Sequence, residues 1–373
     1  MLEVLRPRES STRVLDAMAA LTASINVLMS EHRDLTYEEA RHSIEGIIGG
    51  ASECQAAALL VLLQGKGETP DEVAGMADAM KNEMLPVGGE AGYPEAIDIV
   101  GTGGDGHHTV NISTAASVVA AACGATVAKH GNRSVSSKCG SADVLEACGV
   151  KLGLAPGGIV RCLGEAGIAF MFAPGFHPAM GKIKPVRAAL GVRTVFNILG
   201  PLLNPARCRR MLIGVYAPHL VELMARALHR LGAEFALVVH CGGLDELAPI
   251  AAATCAMVLP AGVTHPVVLD TLALGLKPEL KMCTIEDLKG GDTAENARIL
   301  KEVLAGKIGG AVADTVTLNA GAGMYVSGKT GVEFSAEKLK EGLKAGIEMA
   351  RAALAAGTPL EVLEKWAKCS QQG

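Results

Sequence analysis

Two adjacent acids, Asp245 and Glu246, close the apolar run VVHCGGL, and a third, Asp105, sits inside GTGGDG at Gly101–Gly106. Hard carboxylate oxygens in such places suit a divalent cation such as Mg2+, held directly or through water. The glycines around Asp105 leave backbone N–H groups open to anionic oxygens, because no Cβ stands in the way. Directly downstream, Asn111-Ile-Ser-Thr114 puts two hydroxyls where a helix would begin, and a helix N-terminus favours negative charge. Ser113 and Thr114 could equally be plain caps, and capping is compatible with ligand contact. A third segment, KHGNRSVSSKCGSAD from Lys129 to Asp143, interleaves Lys129, Arg133 and Lys138 with Ser134, Ser136, Ser137 and Ser141. Cations, hydroxyls and open amides together are what a diphosphate needs. Each segment alone would pass for a solvated loop. Their succession points to one shared site for polyphosphate and metal.

The glycines at 101, 103 and 106 also fit G-x-G-x-x-G, the pattern of a dinucleotide-binding loop. That loop needs a helix starting within the motif and an acid about twenty residues on. Here the helix is expected at Ser113 or Thr114, and no Asp or Glu occurs between Asp105 and Asp143. The dehydrogenase reading fails on context. Further along, FAPGFHPAMGKIKPVRAALGVRT supplies His177 and Arg187. A guanidinium there could fork onto a carboxylate, a contact worth about 1.5–3 kcal/mol.

The elements that must hold these residues fall into two zones. From Leu21 to Met84 the pattern is helical, with capping boxes at Thr36/Glu39 and Thr69/Glu72 and Pro70 at the first helical position. PVGGEAGYPE, 86–95, reads as a boundary. From Ala96 onward strand-like runs (AIDIV, ATVAKH, IAFMFA, TVFNIL, MLIGVYA, EFALVVH) alternate with helical ones. The expected class is α/β: a large domain with a mostly parallel central sheet flanked by helices, plus a small all-helical N-terminal domain. The expected bounds are an N-terminal extension over 1–22, the helical domain over 23–92 and the α/β domain over 93–373, with residues near 180–205 packing with the helices. Ligands in such sheets bind at the carboxyl ends of strands, and the unusual loops fall there.

Composition agrees with a large core. Of 373 residues 49% are hydrophobic and 20% charged, enough apolar material for one large or two smaller cores. A net charge of −5 argues against a general nucleic-acid binder. Ten cysteines without a C-x-x-C pair read as buried hydrophobes in a reducing compartment. No run has transmembrane length and no secretory apolar region follows Met1, so a soluble protein off the membrane is expected.

Taken together, DIVGTGGDGHHTVNIST, KHGNRSVSSKCGSADVLEACGV, FMFAPGFHPAMGKIKPVRAALGVRTVFNILGPLLNPA and LVVHCGGLDEL strongly resemble the anthranilate phosphoribosyltransferases, over about Leu35 to Val326. The resemblance implies the nucleoside phosphorylase/phosphoribosyltransferase fold. The implied reaction is transfer of phosphoribosyl from phosphoribosyl pyrophosphate (PRPP) to the amine of anthranilate, in tryptophan biosynthesis. It implies two Mg2+ ions, one at Ser113 and one at Asp245 and Glu246. It implies PRPP contacts at Gly101, Gly104, Asp105, Thr109, Asn111, Ile112, Ser113, Thr114, the Lys129–Ser137 stretch (Lys129, His130, Gly131, Asn132, Arg133, Ser134, Val135, Ser136, Ser137) and Ser141. Anthranilate would meet Gly101, Asn132 and Arg187, with His130, His177 and Met180 lining its channel. The chemistry would rest on Gly101, Asp105, Lys129 and Arg187, without a covalent enzyme intermediate. A homodimer paired through the helical domain is implied, and no nucleic-acid or membrane partner.

Three features depart from the family pattern. The chain has an N-terminal extension. Gly321 and Gly323 stand where alanine is usual, and are expected to loosen their helix. Cys139 in the PRPP loop is expected to confer sensitivity to oxidation. The alternatives are a pyrimidine nucleoside phosphorylase, with a smaller phosphate site, and a non-catalytic nucleic-acid-binding homologue, which would need a basic groove. Segments such as NILGPLLNPAR look plant- or alga-like, which would mean the plastid stroma; a bacterial source would mean the cytoplasm.

Overall fold

The computed structural model of the protein describes residues 18–134, 138–274 and 282–372. The chain divides into two compact units. One combines the described residues up to Met84 with His177–Leu203, and the other combines Leu85–Phe176 with the described residues from Asn204 onward.

In the helical unit, three helices run over Tyr37–Gly49, Glu53–Lys66 and Pro70–Asn82. Each starts on a reciprocal capping box: Thr36 with Glu39, Ser52 with Gln55, and Thr69 with Glu72. Glu72 does more than cap. Fully buried, it accepts the Leu35 N–H at 2.8 Å and the Thr69 N–H at 2.8 Å, and pairs with Lys66 at 2.9 Å. Gly75 brings the first and third helices together, since a Cβ there would stand 2.2 Å from the Tyr37 carbonyl oxygen. A further helix, Met180–Leu190, carries Arg187.

The run TVFNIL does not form the expected strand. Phe196–Leu199 is a helical turn that continues into Gly200–Leu202. The side chain of Asn197 accepts the Thr194 N–H at 2.9 Å, and the Asn197 N–H donates to the Thr194 carbonyl at 2.8 Å. This local closure decides a short apolar run that periodicity cannot assign.

The other unit is built on an eight-stranded sheet in the order β3-β2-β1-β4-β5-β6-β7, with β8 also on β6. The strands are β1 Ile97–Gly101, β2 Val127–Gly131, β3 Ile168–Phe172, β4 Arg210–Gly214, β5 Phe235–Cys241, β6 Ala253–Leu259, β7 Gly262–Val263 and β8 Val267–Leu269. The pairings from β3 to β5 are parallel, and those of β6 with β5, β7 and β8 are antiparallel. From β1 the chain passes to β2 and β3 on one side; β4 and β5 lie on the other. The boundary between β1 and β4, in register from Ile97↔Arg210 to Gly101↔Gly214, is therefore the switch point where ligands bind doubly wound sheets.

The expectation of a loosened helix at Gly321 and Gly323 is not met. Both lie buried in the helix Ala311–Val326. A Cβ on Gly321 would stand 2.6 Å from the Ile347 backbone nitrogen, and one on Gly346 would stand 2.1 Å from the Gly321 carbonyl oxygen. The two glycines let this helix touch the helix Leu339–Ala356 backbone to backbone. Gly323 receives Ile99 of β1, whose Cδ1 would meet an added Cβ at 2.5 Å. Close packing here supports the strand that ends in the glycine loop.

Candidate active site

The carboxyl ends of β1, β2, β4 and β5 deliver the acids and glycines to one edge of the sheet. Gly101 ends β1, and Thr102 continues the pairing by donating its N–H to the Gly214 carbonyl at 3.0 Å. Gly103, Gly104 and Gly106 have φ of 67, 78 and 80°, the left-handed region that favours glycine. Gly101 and Gly214 are glycines for a different reason. A Cβ on Gly101 would lie 2.2 Å from Asp245 Oδ2, and one on Gly214 would lie 1.5 Å from the Asp245 carbonyl oxygen. The two strand ends therefore make the slot in which Asp245 sits.

Asp245 is buried and accepts the Gly103 N–H at 2.6 Å. Burial first, and the nearby Asp105 charge second, push its carboxyl up to about 6. Glu246, half-buried, accepts the Ser113 N–H at 3.2 Å from the start of the helix Ile112–Ala122. Desolvation and then the neighbouring Asp245 raise it well above the ordinary carboxylate range. Asp105 accepts the His107 N–H at 3.2 Å, which folds the loop back on itself. Three acids thus crowd a site where, among the described residues, Lys129 is the one buried cation.

Lys129 lies where the strand-like run ATVAKH ends, ahead of the basic loop. It lies within β2, is 1% exposed, and donates from Nζ to the Ile99 carbonyl at 2.6 Å. Burial lowers its ammonium, opposed by Asp98, Glu246 and Asp245 in that order. Asp98, in the middle of β1, is fully buried; desolvation raises it to about 6, against the attraction of Lys129. It also accepts from Asn204 Nδ2 at 2.7 Å and, at 3.4 Å, from the backbone N–H of His130. His130 and Gly131 are strand residues as well.

The remaining residues surround this corner. Thr109 forms an isolated bridge with Lys289. Asn111 precedes the helix, and Ile112 packs in its buried start with its N–H on the Val110 carbonyl at 2.7 Å. Ser113 is half-buried, and Thr114 Oγ1 is buried with no hydrogen-bond partner. Asn132 is exposed and accepts the Arg133 N–H at 2.7 Å. The Arg133 guanidinium bonds Asp143 at 2.7 Å and Glu146 at 2.9 Å. Asp143 also accepts the N–H groups of Ser134 at 3.3 Å and Gly140 at 2.8 Å, next to Ser141. Val135, Ser136 and Ser137 lie outside the described residues, as does most of the N-terminal extension.

His177, Met180 and Arg187 belong to the helical unit. His177 is 4% exposed, and burial lowers its imidazole to about 4, so it is neutral at pH 7. Arg187 is half-buried, which lowers its guanidinium, and lies 5.8 Å from the centre of the Phe196 ring. Among the described residues no carboxylate pairs with it. Cys139 is buried and its thiol is raised by desolvation, which suppresses the thiolate that oxidation requires.

Sequence reading passed over four residues that hold the site: Asp98, Asn204, Asp143 and Asn296. Asp98 carried a signal, an acid inside the apolar run AIDIV, since a buried charge needs partners. The asparagines carried none, because nothing local distinguishes a structural amide from a surface one.

The donor set fits Mg2+. Carboxylate and hydroxyl oxygens are hard ligands, and a divalent cation would relieve the repulsion among Asp105, Asp245 and Glu246. Among the described residues no group of three or more His, Cys, Asp or Glu could hold a metal alone. Mg2+ ordinarily completes its shell with water and substrate phosphate, so that is no obstacle. No helix among the described residues is long and apolar enough to cross a membrane.

Comparison with known proteins agrees with this geometry. Residues 93–360 match the model of the glycosyl transferase family a/b domain, and residues 25–84 match that of the family's helical bundle domain. The chain is 46% identical over 336 residues to an anthranilate phosphoribosyltransferase of Roseiflexus castenholzii, covering 89% of this chain and 93% of that one. It is 42% identical over 339 residues to one of Chlamydia felis, covering 91% and 93%. Among solved structures, an anthranilate phosphoribosyltransferase from Thermus thermophilus superposes with a TM-score of 0.83 at 42% identity, covering 95% of this chain and 100% of that one. The Saccharomyces cerevisiae enzyme in complex with PRPP and Mg gives 0.81 at 26% identity, covering 95% and 99%.

Proposed function

The chain belongs to the anthranilate phosphoribosyltransferase family, and from that premise we propose how its residues carry phosphoribosyl from PRPP to the amine of anthranilate. The products are N-(5-phosphoribosyl)anthranilate and diphosphate, in tryptophan biosynthesis. The observation that carries the reading is the excess of carboxylate at the β1/β4 switch point, beside a glycine loop and a helix N-terminus. Such an arrangement costs stability unless a cation and a phosphorylated ligand complete it.

Two Mg2+ ions are proposed, one at Ser113 and one at Asp245 and Glu246; when bound, they supply positive charge to the departing diphosphate. The backbone of the Gly101–Gly106 loop and the Thr114 hydroxyl, which has no hydrogen-bond partner, are proposed to meet anionic oxygen that gains charge as the C1–O bond lengthens. Donors fixed in advance favour that charge more in the transition state than in the ground state. Thr109, Asn111 and Ser113 are proposed to hold ribose and phosphate, with Arg133, Ser134 and Ser141 closing from the loop after β2. Lys129 offsets the acids and anchors β1, a positioning role rather than a proton transfer.

Arg187 is proposed to take the anthranilate carboxylate, because its desolvated guanidinium has no counter-ion among the described residues. The neutral aromatic amine is nucleophilic without a strong base, so the remaining task is to present it to C1 of the ribose. A homodimer is proposed to pair through the helical unit, where Met29 and Val61 are exposed apolar residues. None of the ten cysteines forms a disulfide, in keeping with a reducing compartment: plastid stroma for a plant or algal source, cytoplasm for a bacterial one.

The test is the loss of anthranilate fluorescence when PRPP and Mg2+ are added to purified protein. Loss that needs all three components and stops with EDTA is expected. No loss from folded protein would overturn the reading.

A further inference from the structure

Asn296 is 4% exposed in the helix Thr293–Leu304, and both polar atoms of its side chain are hydrogen-bonded. Its Oδ1 accepts the Gly291 N–H at 2.8 Å, and its Nδ2 donates to Asn111 Oδ1 at 3.2 Å. Asn111 passes the connection on, donating from Nδ2 to the Cys139 carbonyl at 3.1 Å. The direction of this relay is set at both ends by backbone groups with one possible role. The Gly291 N–H can only donate, which turns Asn296 Oδ1 toward it and Nδ2 toward Asn111. The Cys139 carbonyl can only accept, which turns Asn111 Nδ2 toward the loop.

The surroundings support a built device. A Cβ on Gly290 would stand 2.6 Å from Asn296 Oδ1, so the glycine makes room for the amide. The same stretch pairs with the segment that leads into the helix: the Val110 N–H donates to the Leu288 carbonyl at 2.9 Å, and the Gly290 N–H to the His108 carbonyl at 3.0 Å. Three stretches distant in sequence therefore meet at one amide pair: 288–296, 108–111 and the loop carrying Cys139 and Gly140. A buried, fully bonded network of this kind holds one arrangement against alternatives of similar packing.

We propose that Asn296 is a positioning residue for PRPP: through Asn111 it sets the distance between the helix that begins at Ile112 and the loop at Cys139–Ser141. This rests on the reading of Asn111–Thr114 as part of the PRPP site, which wild-type turnover tests separately. The relay is neutral, so it works over the whole pH range of the enzyme.

The experiment is a double-mutant cycle on KM for PRPP, run on wild type, Asn296→Ala, Asn111→Ala and the pair, with KM for anthranilate as the internal control. Asn296→Ala is expected to raise KM for PRPP roughly tenfold, the scale for loss of a supporting hydrogen bond behind a ligand. KM for anthranilate should stay within about twofold on the same reasoning. On the Asn111→Ala background the same change should add little. Asn296→Asp guards against simple misfolding: it keeps an acceptor for Gly291 but turns an oxygen toward Asn111 Oδ1. It should fold and still raise KM for PRPP. An unchanged KM in either Asn296 variant, or a full additive effect without Asn111, overturns the proposal. Inactive wild type would instead overturn the function on which it rests.

Discussion

The α/β unit and the helical unit both bury charge without balancing it, and they do so with opposite sign. At the β1/β4 switch point Asp105, Asp245 and Glu246, with Asp98 behind them, outnumber Lys129. In the helical unit Arg187 is alone over Phe196. Exposed charges behave differently: Arg298 bonds Glu295 and Glu302, and Arg226 bonds Glu222. Exposed pairs form because they cost little and contribute little. A buried charge left without a partner is costly, so its persistence in two separate places marks where ligands supply the partner. On the proposed reading the acids would be completed by metal and diphosphate, and the guanidinium by a carboxylate.

The largest expected effect comes from erasing the negative side. Asp245→Asn with Glu246→Gln should lower kcat/KM about a thousandfold or more, the scale for removing transition-state stabilisation of developing charge. The same variant should raise the melting temperature of metal-free protein, because burial holds both carboxyls well above their ordinary range. Mg2+ should stabilise wild type and leave the variant unmoved. A lower melting temperature for the metal-free variant would break the comparison, since the acids would then serve the fold.

Erasing the positive side should cost less. Arg187→Ala is expected to raise KM for anthranilate about 10- to 100-fold, the worth of a charge-assisted hydrogen bond. KM for PRPP should hold. Arg187→Lys should recover only part, because a point charge cannot fork onto a carboxylate. If both KM values rose together, Arg187 would be supporting its unit rather than waiting for a ligand.

Most of the catalytic edge was legible because its signals are local. Positive φ at Gly103 and Gly104, hydroxyls at a helix start, and acids after an apolar strand each leave a mark within a few residues. The capping boxes at Thr36 and Thr69 were legible for the same reason. What escaped depends on distant partners. Lys129 reads as the end of a strand leading into a basic loop, and only the sheet reveals that its ammonium is turned inward onto Ile99. Gly321 reads as a weak point in a helix until Gly346 and Ile347 are seen against it. TVFNIL has the composition of a strand, and Asn197 turns it into a helix. Asn204 and Asn296 fall in or near family-like stretches, but nothing local assigns them a role, since their partners lie in backbone segments brought together by folding.

The smallest effect separates the two units by pH. Burial holds His177 neutral, with its imidazole at about 4 rather than near 6.5. Below the ordinary value the unfolded chain takes up a proton that the folded one refuses. His177 therefore contributes stability that is present above about pH 6.5 and is lost as pH falls toward 4. The loss approaches about 1.4 kcal/mol per pH unit in that window. Asp98 and Asp245, raised to about 6, work the other way, because there the folded state takes up protons first and gains stability as pH falls through 6. The two trends overlap in the wild-type curve, so the informative quantity is a difference. Melting curves of wild type and His177→Gln between pH 7.5 and 5.5 should converge on acidification, as wild type loses a contribution the variant never had. Parallel curves would show that His177 titrates alike in the folded and unfolded chain, so that its burial does not hold it neutral, which would break the contrast.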